Sequence, residues 1–324
     1  NRRNIIAVCL VAWSVMTAFS GLSKNYLQLL LSRIGVGIGE AGGTPGANSI
    51  ISDYFPQSKR PMALTIFSLG APIGAWIGAD IAGIVNDHYN WRTVFLVLGI
   101  PGVIVGLVIF LTVREPRRGQ LDKKGGDDAG ASFLESMRFL WTQRSAVHVM
   151  AASALTALWG WGLMWWTPTY LIRNFGLTPG EAGSILGPVH LIGGGLATLA
   201  TSWWLAQPKM KDPRRIVRMM GWGVGLATVV SGVIYSTRSL ELAQWLFWLF
   251  IPAIYFYIGP CFGLLNNLCE PRMRAQFCAA TLFVANVGNL IVAPQLVGFL
   301  SDACAPDNVA NGQSLRLAML CLVP

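Results

Sequence analysis

Residues 31–46 read LSRIGVGIGEAGGTPG, an apolar, glycine-laden stretch that nonetheless carries Arg33 and Glu40 seven residues apart. On an α-helix that spacing is two turns, so both side chains fall on one face, about 10 Å apart along the axis. Gly37 to Gly42, GIGEAG, satisfies G-x-G-x-x-G, but a dinucleotide site needs a strand before it and a βαβ unit around it. The flanking residues offer more apolar helix instead. Glycine at every second position does not make one helical stripe. The expectation is therefore a segment thinned all round, which neighbouring backbones approach closely.

Working outward, 53% of the 324 residues are hydrophobic, only 12% are charged, and the mean hydropathy is +0.52. Soluble domains carry about twice that charged fraction. Runs of about 20 apolar residues suffice to cross a bilayer as helices. Such runs lie at 4–22, 25–51, 62–85, 91–113, 147–172, 180–205, 215–236, 241–268 and 275–300, and another begins at 314–324. Transmembrane β-strands would show alternating segments of about ten residues instead. The fold class is all-α and integral to a membrane.

The net charge of +9 could suggest nucleic acid, so the placement of the 24 basic residues decides. They crowd onto alternate loops, around Arg2 and Arg3, Lys59 and Arg60, Arg114 to Arg144, Lys209 to Arg218, and Arg272 and Arg274. By the positive-inside rule these loops are cytoplasmic. A multi-pass protein of a bacterial inner membrane is expected, with membrane lipids and no nucleic acid as partners. Six cysteines show no C-x-x-C spacing, which argues against a disulfide framework or a zinc site, and no cofactor is expected. The basic, apolar start resembles a signal peptide, but a repeat explains the same residues better.

RRNIIAVCLVAWSVMTAFSG at 2–21 is echoed by RRIVRMMGWGVGLATVVSG at 214–232, and FPQSKRPMALTIFSLG at 55–70 by EPRMRAQFCAATLFVANVG at 270–288. AGIVND at 82–87 is echoed by VGFLSD at 297–302. All three agree on a period of about 215 residues. A parallel repeat of helix bundles is the pattern of transporters built from two six-helix halves with the binding site between them. The period predicts about nine complete helices and part of the twelfth, with two helices, about 70 residues, expected upstream. The expected division is 1–113 for the first half, 114–145 for a cytoplasmic linker, and 146–324 for the second half. Within the linker, Phe133, Met137, Leu140 and Trp141 recur at helical spacing, so a short amphipathic helix at the membrane surface is predicted.

Charges at membrane depth are costly and face a bundle interior or a water-filled cavity. Arg33 and Glu40 thus read as part of a pathway, or as a structural pair that locks helices together. Desolvation favours a neutral carboxyl group and a nearby cation favours the ionised one. A cavity opening alternately to either side would therefore load and unload a proton on Glu40. Arg33 could hold Glu40 or an anionic head group, bidentately if that is phosphate.

RIGVGIGEAGGTP, ISDYFP, KRPMALTIF, GAPIG, WRTVF and TVREPRRG, spread over residues 33–119, resemble the Spinster family of the major facilitator superfamily. The superfamily resemblance covers the whole chain and the family motifs its first third. The resemblance implies alternating access, lysolipid or sphingoid-type substrates and coupling to protons. It matches Glu40 to the acidic residue of the fourth helix and Arg33 to its basic partner. The family's Asp-Arg pair in the first helix has no counterpart here. Gly70, Pro72 and Gly74 in GAPIG resemble the superfamily's antiporter motif, or form a Pro kink with close packing.

Other candidates carry two readings each. Asp80 is a second titrating group or a solvated residue near the outer end of its span. In WGWGLMWWTPTYL, Trp159, Trp161, Trp165, Trp166 and Tyr170 form an interfacial belt, or the inner pair, Trp159 and Trp161, lines the cavity. His190 handles substrate or a proton, or makes a buried polar contact. Tyr255, Tyr257, Asn286 and Asn289 supply head-group hydrogen bonds, or join helices. His88, His148 and His190 lie on separate segments without catalytic spacing, so an enzyme is not expected. The expected function is a monomeric secondary carrier, proton-coupled, for an amphipathic lipid. The alternative is a carrier or efflux pump for a soluble organic anion or drug.

Overall fold

A computed structural model describes residues 1–40, 43–55, 60–116, 132–207, 212–269, 273–305 and 311–323. All regular structure among them is helical. The first elements are α1 (Arg2–Leu22), α2 (Tyr26–Glu40), α3 (Gly43–Tyr54), α4 (Arg60–Ser68), α5 (Gly70–His88) and α6 (Trp91–Thr112). The short α7 (Phe133–Thr142) follows, then α8 (Arg144–Phe175), α9 (Pro179–Pro188), α10 (Gly195–Leu205) and α11 (Pro213–Ser236). The chain continues through α12 (Leu240–Phe256), α13 (Ile258–Leu268), α14 (Arg274–Asn286), α15 (Ala293–Ala303) and α16 (Gly312–Leu322). Wider π-helical turns join α9 to α10 at Val189–Gly194 and α14 to α15 at Val287–Val292.

Eight helical stretches among the described residues are long and apolar enough to cross a membrane. The span expected at 25–51 is not one of them, because α2 and α3 are separated by residues 41–42, which lie outside the described set. The span expected at 62–85 is one of the eight, at Ala63–His88, with a one-residue break at Leu69 between α4 and α5. Pro72 explains that break: its ring crowds the carbonyl four residues back, at Ser68, where α4 ends. Local signals close other helices. Asn90, Ser132, Asp212, Ser239 and Asn311 cap helix starts with their side chains. Gly176, at φ +69°, ends α8 in the left-handed region that glycine adopts without strain.

The chain divides into two compact units, residues 1–126 with 179–183, and residues 127–178 with 184–324. In the first, α1 is the central helix, packed on α2, α3 and α6. Gly35, Gly39, Gly43 and Gly46 all turn toward α1: an added Cβ would strike Met16, Trp13, Trp13 and Ile6 respectively. At Gly39 the obstruction is backbone, 2.8 Å from the Trp13 nitrogen. Gly37 faces open space. The glycines therefore do make a stripe, at every third or fourth residue, and the expectation of a segment thinned evenly all round is corrected. On the other side of α1, Gly99 and Gly106 let α6 approach as closely: a Cβ there would lie 2.8 Å from the Ala18 nitrogen and 2.6 Å from Val11 Cγ2. Close backbone contact is how helices associate where lipid removes the hydrophobic drive.

The second unit packs α8 against α12 to α16. Leu140, Ala146, Met150, Tyr257, Cys261, Leu265 and Phe277 form one buried cluster. An aromatic column stands apart from it, with Tyr170, Tyr235 and Phe250 in edge-to-face contacts at centroid distances of 5.1 and 6.5 Å. Tyr170 is fully buried and donates its hydroxyl to the Ile234 carbonyl at 3.1 Å. Thr167 and Tyr235 share a hydrogen bond at 2.8 Å. Tyr170 thus belongs to the core rather than to an interfacial belt, whereas Trp165, 54% exposed, is free to serve one.

Candidate functional site

Arg33 and Glu40 both lie on α2, exposed, and neither takes a hydrogen-bond or ion-pair partner among the described residues. They do not meet each other. The Arg33 guanidinium stands 5.7 Å from the centre of the Phe95 ring on α6, a cation–π distance. The local cause is the glycine stripe. It presses one side of α2 onto α1, which leaves the charged positions on the sides that α1 does not cover.

On α5, the Trp76 indole donates to Asp80 at 3.3 Å, one turn along the same helix. Asp80 is half-buried. Pro72 is buried, while Gly70 and Gly74 face space with nothing within 4 Å of an added Cβ. GAPIG accordingly breaks the helix without close packing at its glycines.

In the second unit the π-helical turn at 189–194 carries His190, buried, with Nδ1 3.1 Å from the Tyr255 hydroxyl. Gly194 makes that contact possible, since a Cβ would lie 2.7 Å from the Tyr255 ring. Trp161 packs edge-on against the same ring at 5.4 Å. Tyr255, His190 and Trp161 are therefore one assembly of hydrogen-bonding aromatics. Trp159 lies beside Phe250, 5.7 Å between centroids, and its buried indole N–H has no partner among the described residues. A buried donor without a partner costs free energy.

The second π turn, 287–292, precedes Pro294, which has no N–H to give the Leu290 carbonyl four residues back. Asn289 is buried on this turn and donates to Asn286 Oδ1 at 3.3 Å; Asn286 is exposed. π turns inside α-helices are uncommon and often occur at functional sites. Tyr257, two residues from Tyr255, is buried in the cluster with Cys261 and Leu265, and Trp161, which meets the Tyr255 ring, also reaches it.

One charged assembly was not foreseen as such. Arg2, 8% exposed, donates to Asp53 at 2.5 Å, to Glu115 at 2.8 Å and to the Pro116 carbonyl at 3.1 Å. The Arg3 backbone N–H adds a bond to the other Glu115 oxygen at 2.8 Å. Burial alone pushes the Glu115 carboxyl up, but these donors outweigh it and hold the group below its ordinary value. Arg2 counted only as a topological charge in the sequence. The available signal was the pair of acids, Asp53 in ISDYFP and Glu115 in TVREPRRG, each set beside an apolar span.

Comparison with known proteins places this geometry. A model of the Major Facilitator Superfamily matches residues 1–294. An MFS-type efflux pump of Mycolicibacterium smegmatis is 27% identical over 98% of the chain and 73% of its own length. The sphingosine-1-phosphate transporter SPNS2 of Xenopus tropicalis is 27% identical over 93% of the chain, which spans 61% of that relative. A crystal structure of a bacterial homologue of the human lysosomal transporter Spinster, inward-facing and unoccupied, superposes with a TM-score of 0.81 at 28% identity. That match covers 100% of the chain and 80% of the solved one. With its helical spans and Spinster-like relatives, the chain belongs to the Major Facilitator Superfamily of transporters.

Proposed function

We propose that this chain works as a secondary carrier that moves a lysolipid or sphingoid-type amphiphile by alternating access, with Glu40 carrying a coupling proton. The observation that carries the reading is the state of α2. Arg33 and Glu40 share a helix thinned by glycine, sit on sides α1 does not cover, and have no ion-pair partner among the described residues. A structural pair would be expected to close on itself, because isolated charges at membrane depth are costly. Arg33 is suited to an anionic head group, and its place over Phe95 sets its guanidinium fork without consuming its hydrogen bonds. In the second unit, Tyr255, His190, Trp161 and the Asn286–Asn289 pair supply neutral hydrogen-bonding groups set among aromatic rings. Such groups suit an acyl chain with a small polar head better than a sugar.

The test is flux of a labelled lysophospholipid in proteoliposomes with and without an imposed pH gradient. Gradient-dependent flux in the wild type that Glu40→Gln abolishes supports the reading. Flux indifferent to the gradient in both proteins refutes proton coupling. A second reading is an exporter of soluble organic anions or drugs, favoured by the similarity to the mycobacterial efflux pump across nearly the whole chain. Lysolipid that neither moves nor competes, with a soluble anion that does, would select it.

A further inference from the structure

Helix α7 divides around its axis into three sectors. Ser136 and Leu140 are buried, and Phe139 meets Phe277 with ring centroids 6.2 Å apart, so one side is held by the bundle. Phe133, Leu134 and Trp141 are 66%, 73% and 68% exposed. At 100° per residue they fall within about 100° of each other, beside the held side, on a sector that also carries Met137, half-buried against the core. Arg138 comes next around the helix, exposed and without a hydrogen-bond or ion-pair partner among the described residues. Thr142 and Glu135 complete the polar sector. Protein, bare apolar surface, cation and water-facing polar groups thus follow in order.

That order is the one a helix lying in a membrane interface requires. The position agrees: α7 ends at Thr142 and α8, the helix that carries the next membrane span, begins at Arg144, so a single residue separates the two helices. A groove of about 540 Å³ opens along the polar border, with Arg138 and Thr142 beside Leu134, Phe139 and Met273, and with the Glu135 carboxylate on its wall. The groove offers a cation and a hydroxyl next to aliphatic and aromatic surface. Arg138 and Arg144 outnumber Glu135, so the patch as a whole is cationic.

We propose that α7 docks on the leaflet facing the basic loops and there holds one anionic glycerophospholipid, its acyl chain along Phe133, Leu134 and Trp141 and its phosphate on Arg138. The site is separate from the transport pathway. It ties the start of α8, on which Trp159 and Trp161 lie, to the charge of the surrounding membrane.

The experiment is hydrogen exchange of the α7 amides with the protein in nanodiscs of phosphatidylcholine alone, of phosphatidylcholine with one-third phosphatidylglycerol, and with one-third phosphatidylethanolamine. Phosphatidylglycerol should slow exchange across 133–142 about five-fold, the factor that one arginine is worth at an anionic surface. Arg138→Gln should remove that slowing and Arg138→Lys should retain most of it. The pair Leu134→Ala and Trp141→Ala should raise exchange in every lipid. Unchanged protection of residues 146–170 reports that each variant is folded. Equal protection in all three lipids would overturn the phosphate site, as would slowing by phosphatidylethanolamine as large as that by phosphatidylglycerol. Exchange in all lipids as fast as in a free helix would overturn docking altogether, and the wild-type comparison decides this even if a variant fails to fold.

Discussion

The Arg33 guanidinium lies 5.7 Å from the centre of the Phe95 ring, and Glu40, two turns along the same helix, is left without an ion-pair partner among the described residues. Glu40→Gln keeps the shape of the side chain and cannot titrate. Transport driven by a pH gradient should fall to background while substrate counterflow at equal pH survives. Arg33→Ala should weaken anionic amphiphiles instead, and Arg33→Lys should recover only part of that loss because a point charge cannot reproduce a bidentate contact. Wild-type pH dependence in Glu40→Gln would make the pair structural.

The glycine stripe of α2 gives a paired test. Gly39→Ala places a methyl group 2.8 Å from the Trp13 backbone nitrogen, which cannot rotate away, whereas Gly37→Ala meets nothing. Gly39→Ala should destabilise the protein by about 1–3 kcal/mol. Gly37→Ala should be neutral or slightly stabilising, since alanine is the better helix former. Thermal unfolding in one detergent compares them, and equal midpoints would remove the stripe from the account of α1–α2 packing.

Glu115 sets a pH dependence of known sign. Its carboxyl is held below its ordinary value by the Arg3 backbone N–H and the Arg2 side chain, so it contributes stability above the unfolded value, about 4.3. That contribution is lost as pH falls through the lowered folded value. Unfolding midpoints should therefore drop more steeply below about pH 4 in the wild type than in Glu115→Gln. The variant should already be less stable at neutral pH, by about 1–2 kcal/mol. Parallel curves would mean that Arg2 and Arg3 gain nothing from Glu115.

Tyr255→Phe removes the hydroxyl that meets His190 and keeps the ring against Trp161. Stability should fall by about 1 kcal/mol. If the assembly also contacts the head group, substrate affinity should fall several-fold with the maximal rate nearly kept. An unaltered affinity would leave His190 and Tyr255 as a contact between helices alone.

Orientation can be read from Cys304, exposed and reduced at the end of α15. The loop it opens should face away from the basic side. An impermeant maleimide should label intact cells at this residue, and Cys304→Ser should abolish the signal. Labelling that requires permeabilised cells would invert the topology.

Much of this protein is legible in its sequence because the controlling forces there are local. Apolar runs of membrane length dictate helices, since a backbone in lipid must satisfy its own hydrogen bonds. Pro72 marks the break at Ser68, and Gly176 the end of α8, by steric rules that act within one turn. The seven-residue spacing of Arg33 and Glu40 sets them on one face by helix geometry alone. Which groups meet was decided by packing between segments far apart in the chain. Gly39 and Gly37 look alike in sequence, and only the position of Trp13 makes one a contact and the other bare surface. Arg33 turned to Phe95 and Arg2 to Asp53 and Glu115, at separations of 62, 51 and 113 residues that no periodicity encodes. Tyr255 and Tyr257 differ for the same reason: one met a histidine and the other a hydrophobic core, with Trp161 reaching both.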